Sequence, residues 1–439
     1  MKNVMKNVTI QKLVTICIIT LSCLPILSSC GGGEQKNSKY VINDHNSGIK
    51  VLDIEKGVAQ RDFVNLSKYA TEINYIPLET RGDCMMGLDQ HTYILKSGDR
   101  FYFSSWLSNV PLLTFDEKGK FIGTVGVEGR AANEYMRSIE SFAANDQNGE
   151  LVICDGYAKL LFYDRDGNFK TSKKIENEKR VFDYKLFSSG NGEYIFLKGE
   201  DYIKEVPPKL GLQKFRKEAV ITVNSRGDII NEQFVGDIYG YIYKTEHESI
   251  SYSFTDALLY QFDNKFGLLI NDSLYHYNPA NGNTECRYVA NYGKYDLGRE
   301  STSKVKIKSW NNLFFETDKF LLFSVIFPKS AFTEMPPYYL FSVFAYDKES
   351  GDINALKNDP IYGTAREAFG GGGFVGFTND LDGGAPFLPR HIKDGKMYEL
   401  MDALSFIEQA QKSKSAKMKK IAATLTEDSN PILIEVTLK

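Results

Sequence analysis

Side chains able to do chemistry gather in two stretches of this 439-residue chain. The first runs from Arg366 and Glu367, through the glycine run 370–373, to Asp380, Asp382, Arg390 and His391. Charges of both signs beside a flexible glycine run suit ligand binding. Glycine lets the backbone come close, while Arg and carboxylates make directed, charge-assisted hydrogen bonds. The second stretch holds Arg130, Glu134 and Tyr135. Both stretches read as loops, where function concentrates when a rigid scaffold positions it. Loop packing and salt bridges are the competing use of the same residues.

Signatures of catalysis are missing. The chain has no GxSxG, HExxH or P-loop motif, and no GxGxxG between a strand and a helix. No catalytic residue, metal or cofactor is therefore assigned. The turn Asp164-Arg165-Asp166-Gly167-Asn168 alternates oxygen ligands as a calcium loop does, but lacks the distal bidentate Glu. Asn379 to Gly384 is a second acidic turn open to a cation or ligand. The histidines (45, 91, 247, 276 and 391) are scattered, and His276 sits inside a strand-like run. Past residue 30 only Cys84, Cys154 and Cys286 remain, an odd and widely spread set that speaks against a disulfide framework or a zinc site. A formal charge of −3 without a basic stripe argues against a nucleic-acid partner.

The N-terminus reads as an address. Lys2, Lys6 and Lys12 precede an apolar run from Leu13 to Leu27, which Thr15, Thr20, Ser22 and Pro25 interrupt. That is too short and too broken for a membrane span and fits a signal peptide. Leu27-Ser28-Ser29-Cys30 resembles the bacterial lipobox. The resemblance implies acyl chains on the Cys30 thiol and amino group and cleavage before Cys30. Several acyl chains anchor firmly where one is marginal. Residues 1–29 then form the signal peptide and 30–48 a flexible Gly-rich tether. Losing three lysines takes the formal charge from −3 to −6. No Asp follows Cys30, so the resemblance favours the outer membrane.

The elements that must position these residues are strands. Aromatic residues make up 13% of the chain, a share that favours β-structure. One unit recurs: a β-rich run, a polar turn with Gly, and a second β-rich run. Its clearest copy is Leu112–Phe115, turn Asp116–Lys120, then Phe121–Val125. The turn glycines are 119, 167, 227, 282, 351 and 395, with gaps of 48, 60, 55, 69 and 44 residues. A four-stranded propeller blade takes about 40–50 residues, so some blades must carry insertions. Between these hairpins lie apolar runs such as Leu151–Ile153 and Phe320–Val325, read as strands packed on both faces. Met401 to about Leu425 lacks Gly and Pro and reads as a helix ending before Asn430-Pro431, with Ile432–Leu438 as a last strand. That strand, or Ile49–Ile54, is expected to close the ring. Lysines 412, 414, 417, 419 and 420 on this helix suit either solvent or anionic headgroups.

Val64–Thr80, the linker Gly129–Tyr135, Asn379–Gly384 and the ending Glu427–Ile434 together resemble the 6-bladed β-propeller lipoproteins of Bacteroidetes, related in shape to NHL-repeat propellers. In the linker, Ala131, Ala132 and Asn133 replace the Pro and Gly positions of the family's Gly-Pro-Gly-Glu-Tyr-like run. The resemblance implies an all-β six-bladed β-propeller over 49–400, with residues 401–439 as a C-terminal helix and closing strand packed on it. It transfers almost no chemistry. The expectation for function is a cell-envelope module binding a glycan, peptide or partner protein. The rivals are a propeller enzyme (a glycan lyase or hydrolase with its site at the channel mouth) and a structural subunit of an envelope complex.

Overall fold

The computed structural model describes residues 48–88, 92–105, 111–136, 139–155, 159–175, 185–205, 212–244, 250–254, 257–263, 265–296, 306–307, 313–327, 340–357, 359–362 and 376–439. The expected signal peptide (1–29), Cys30, most of the expected tether, His91, His247, Arg366, Glu367 and the glycine run 370–373 lie outside the described residues.

The chain opens with β1 (Lys50–Asp53), α1 (Ile54–Ala59) and β2 (Ala70–Pro77). Blade I is β3 (Thr92–Ser97), β4 (Arg100–Ser105), β5 (Leu112–Asp116) and β6 (Phe121–Val125). Blade II is β7 (Ile139–Ala144), β8 (Leu151–Asp155), β9 (Lys159–Tyr163) and β10 (Phe169–Lys174). Blade III is β11 (Leu186–Ser188) with long strands β12 (Glu193–Glu205), β13 (Leu212–Asn224) and β14 (Ile229–Lys244), and β15 (Ile250–Phe254). Blade IV is β16 (Ala257–Phe262), β17 (Lys265–Ile270), β18 (Ser273–Asn278) and β19 (Asn283–Asn291). Blade V is β20 (Lys306–Ile307), β21 (Phe314–Glu316), β22 (Phe320–Phe327), β23 (Leu340–Asp347) and β24 (Ile353–Ala355). Blade VI is β25 (His391–Lys393), β26 (Lys396–Met401) and β27 (Ile432–Leu438), completed by β2 from the other end of the chain. These six sheets stand in a ring, an all-β six-bladed β-propeller.

The apolar core explains the ring. It divides into six clusters, one between each pair of successive blades. Phe101, Phe103 and Leu113 of blade I meet Tyr398, Leu400 and Leu433 of blade VI. Leu112 and Tyr102 meet Ile153 and Leu161 of blade II. The remaining four clusters fill the II–III, III–IV, IV–V and V–VI spaces. A sheet in such a ring buries both faces, so its second strand reads as an unbroken apolar run. Leu151–Asp155 is buried at every position, and Phe320–Phe327 at all but one.

All six turn glycines expected from the sequence have positive φ, but they are not equivalent. Gly119, Gly167, Gly227 and Gly282 join the third and fourth strands of blades I to IV, and Gly351 joins the last two strands of blade V. Gly395 joins the first and second strands of blade VI, paired with Asp394 at positive φ as in a two-residue hairpin. The sixth blade has no turn of the first kind, because ring closure replaces it: β27 pairs antiparallel with β2, from Ala70↔Leu438 to Pro77↔Ile432. The last strand thus closes the ring, as expected of it. The N-terminal Lys50–Asp53 does not. It lies parallel to β19 as a fifth strand on the outer edge of blade IV.

The expected C-terminal helix is two helices, α2 (Ala403–Lys412) and α3 (Ala416–Ala422). Serines cause the break: Ser415 stops being helical to cap α3, its hydroxyl accepting from Met418 N at 2.9 Å. The helices pack Phe406, Ala410 and Met418 onto the V–VI core, and Lys412, Lys414, Lys417, Lys419 and Lys420 stay exposed. Among the described residues, no helix is long and apolar enough to cross a membrane.

Candidate functional site: the mouth of the central channel

The first strand of each blade faces the axis. β3, β7, β11, β16 and β25 are each paired on one side only, and β21 pairs only with β22. Their free edges turn backbone N–H and C=O groups inward, where a sheet interior would have paired them. These strands and the turns that follow them enclose a cavity of about 320 Å³ on the axis. Its wall includes Phe142, Phe262 and Phe314, which are buried between blades, the half-buried Phe187 and Phe315, and charged groups near the turns.

Polar stitches run around this wall from blade to blade. Ser97 Oγ donates to Asp146 at 2.7 Å, joining blades I and II. Leu186 N donates to Ser141 Oγ at 2.8 Å, joining III to II. Gln261 Nε2 donates to Ser188 O at 3.4 Å, joining IV to III. Tyr260 OH donates to Glu316 at 2.9 Å, joining IV to V. Lys96 N donates to His391 Nε2 at 3.2 Å, joining I to VI. Between V and VI the joint is apolar: Phe315 and Ile392 pack onto one core cluster. Lys393 also reaches past blade I to Asp146 at 2.5 Å, linking blade VI to blade II.

The titratable groups fall into two classes. Glu316 is buried and held by Lys348 at 2.6 Å, Tyr260 and His276. Burial pushes its pKa up, but those partners outweigh burial and leave it below its ordinary value. His391 is partly open to the cavity, yet its pKa is pulled down to about 3, by burial first and then by Lys393 and Lys96. Its Nε2 accepts from a backbone N–H, which requires an unprotonated nitrogen there. The imidazole is therefore neutral, and it stacks on Tyr398 at 6.1 Å. Behind it on β26, Glu399 accepts from Leu388 N at 3.0 Å. Burial raises its pKa to about 8, against the pull of Leu388 N and Arg390.

The profile of a domain of unknown function, DUF4934, matches residues 49–437. The chain belongs to the DUF4934 family. Among solved structures it is similar to a Bacteroides fragilis chain described as an exported protein, at 14% identity and a TM-score of 0.56 over 89% of this chain and 99% of that one. That likeness shows the fold. BamB from Moraxella catarrhalis is more distant, with 11% identity and a TM-score of 0.32 over 82% of this chain and 97% of that one. No curated protein matches the sequence.

Within this DUF4934 domain, the residues singled out from sequence scatter. Arg390 and His391 border the channel cavity. Asp380 instead accepts from Ser67 N at 2.8 Å and Ser67 Oγ at 2.5 Å, tying down the entry to β2. Asp382 accepts from Tyr75 OH at 3.2 Å, Asn379 Nδ2 at 2.8 Å, Gly384 N at 3.0 Å and Ser415 Oγ at 2.5 Å. It joins β2, the acidic turn and α3. Arg130 is exposed in the I–II linker. Glu134 Oε2 accepts from Ala131 N at 2.9 Å and crowds the Cα face of Gly129. Tyr135 is buried in the I–II core, and burial raises its phenol to about 12. Asp164, the calcium-like position, accepts from Asp166 N and Asn168 N at 2.9 Å each, a turn-forming use that Asp116 repeats with Lys118 N and Lys120 N. Among the described residues, no group of three or more His, Cys, Asp or Glu is placed to hold a metal.

Sequence reasoning missed the rest of the wall: Lys96, Phe142, Asp146, Phe187, Phe262 and Glu316. A positional signal existed. Each lies in or just after the short strand that precedes an apolar second strand, across a tight turn.

Proposed function

We propose that this protein is a cell-envelope binding module, held by lipid at Cys30, that takes a small ligand such as a sugar or a short peptide end into the mouth of its central channel. One observation carries the reading: the innermost strands of all six blades converge on a single cavity of about 320 Å³. That volume lies at the small end of the roughly 300–1,000 Å³ range of ligand pockets, and the wall supplies rings beside hydrogen-bonding backbone edges, as such sites do. A large partner protein would need a broad surface instead.

Binding is favoured over a glycan lyase or hydrolase by the state of the titratable groups. A general acid or base works best with a pKa near the operating pH. His391 is far below it, Glu316 is locked in an ion pair, and Glu399, raised to about 8, does not line the cavity. The lipobox-like Leu27–Cys30 and the Gly-rich stretch after it support the anchor and an outer-membrane address.

The test is a titration of the chain with mono- and disaccharides and with di- and tripeptides, followed by product analysis. Saturable binding without turnover, abolished by Ile392→Trp in the cavity wall, supports the reading. Product formation that Ile392→Trp removes would replace it with the enzyme. For the anchor, Cys30→Ser should abolish labelling by radioactive palmitate and move the chain out of the membrane fraction.

A further inference from the structure

We infer that the channel ligand carries a single carboxylate and that Arg390 receives it, an inference that rests on reading the channel as a ligand site. Most charged side chains on the wall are already engaged. Lys96 pairs with Glu117 at 2.9 Å, Lys393 with Asp146 at 2.5 Å, and Glu316 with Lys348 at 2.6 Å. Arg390 differs. Its backbone N–H donates to Tyr398 O at 2.7 Å, but among the described residues its guanidinium has no hydrogen-bond or ion-pair partner.

Glu399, an acid on which its charge acts, does not cancel it. Burial holds that carboxyl protonated at neutral pH, with a pKa near 8. Arg390 borders a part-enclosed cavity, and a guanidinium with no partner among the described residues is a site for a planar anion. A carboxylate answers it with two parallel N–H···O bonds, a match that lysine cannot reproduce.

The surroundings narrow the ligand further. Asp263 and Asp394 stand exposed on the turns at the rim, with Asp146 beside them. Asp146 is already paired with Lys393, so Asp263 and Asp394 are the two carboxylates that repel a polyanion while leaving one negative charge tolerable, discrimination by repulsion. Phe187 and Phe315, half-buried on the wall, give an apolar face to whatever bears the carboxylate. The ligand class is a compact ring or short chain with one carboxylate. An acidic sugar and the C-terminal residue of a short peptide share that chemistry.

The experiment is isothermal titration of the full chain at pH 7. The probes are methyl glucuronide and methyl galacturonide, their methyl esters, and N-acetyl dipeptides with free or amidated C-termini. The free acid should bind at least about tenfold tighter than its ester or amide. Arg390→Gln should weaken the acid by about 10- to 100-fold, the range of a hydrogen bond to a charged group, and leave the neutral probe unchanged. Arg390→Lys should restore only part. Which acid binds, sugar or peptide, identifies the source. Equal affinity for acid and ester, or equal loss of both in Arg390→Gln, overturns the inference while the channel reading stands. Failure of every probe at millimolar concentration sinks both. Should Arg390→Gln not fold, the acid-against-ester comparison on the unaltered chain decides alone.

Discussion

Lys348 Nζ lies 2.6 Å from Glu316 Oε1, deep in the joint between blades IV and V. Glu316 ends the innermost strand of blade V, and Lys348 sits in that blade's last turn. Tyr260 OH from blade IV donates to the other Glu316 oxygen at 2.9 Å. The joint thus combines an ion pair within one blade and a hydrogen bond to the next. Glu316→Gln leaves Lys348 enclosed without its counter-charge and should cost about 3 kcal/mol. Tyr260→Phe removes one bond to a held carboxylate and should cost about 1–2 kcal/mol. Urea denaturation measures both. Because the Glu316 pKa is depressed, its stabilisation is present above the unfolded value of about 4.5 and is lost as pH falls through the folded value. Glu316→Gln should therefore flatten the acid limb of the stability curve.

The ring was legible in the sequence because its parts are local. Gly119 and Gly167 punctuate two-run units, and Leu151–Ile153 is apolar without alternation, as a strand buried on both faces must be. The error at Gly395 has a physical cause. Asp394-Gly395 satisfies the same turn chemistry as the other five, and turn chemistry does not record which pair of strands it joins. Only the pairing of residues 70–77 with 432–438 reveals that, a contact between the ends of the chain that no local pattern encodes. The channel wall was hidden for a related reason. Leu186–Ser188 and Phe314–Glu316 are three-residue strands, too short to show a period, and their role comes from convergence of six blades. Arg390 and His391 were found through residue type, whereas Asp380 and Asp382 share that type and serve the closure instead.

Glu399 should make the protein less stable as pH rises. Its folded pKa is raised to about 8 by burial, above an ordinary 4.5. A carboxyl raised on folding binds more protons folded than unfolded, so its effect is absent below pH 4.5 and grows unfavourable through pH 8. Glu399→Gln keeps an acceptor for Leu388 N and cannot ionise. Its melting temperature should match the parent's at pH 4.5 and exceed it at pH 8. A constant offset across that range would show that Glu399 is already ionised in the fold.

His391 acts in the opposite pH direction. Its folded pKa of about 3 lies below the ordinary 6.5, so between these values the unfolded chain binds the extra proton and stability rises with pH. His391→Gln can still accept from Lys96 N through its amide oxygen. Between pH 4 and 6 the variant's stability should depend less steeply on pH than the parent's. Direct titration of the imidazole by NMR offers a second check, since a midpoint near 6.5 would remove the buried, neutral acceptor from this account.

Gly119 and Gly395 share a backbone conformation but not a neighbourhood, and that contrast isolates the ring closure. Their φ values are +79° and +69°. A Cβ at Gly395 meets nothing within 4 Å, while one at Gly119 would sit 2.3 Å from Pro77 O. Pro77 ends β2, the strand that β27 pairs with to close the ring, and Glu79 N donates to Gly119 O at 2.7 Å, so the Pro77 carbonyl has little room to retreat. Gly395→Ala should cost about 1–2 kcal/mol, the penalty of the left-handed conformation alone. Gly119→Ala adds overpacking against a backbone and should cost about 3 kcal/mol or more. Denaturation of the two variants side by side tests the difference. Equal losses would mean that blade I and the closing strand slide apart easily, and that ring closure is looser than the packing of Gly119 implies.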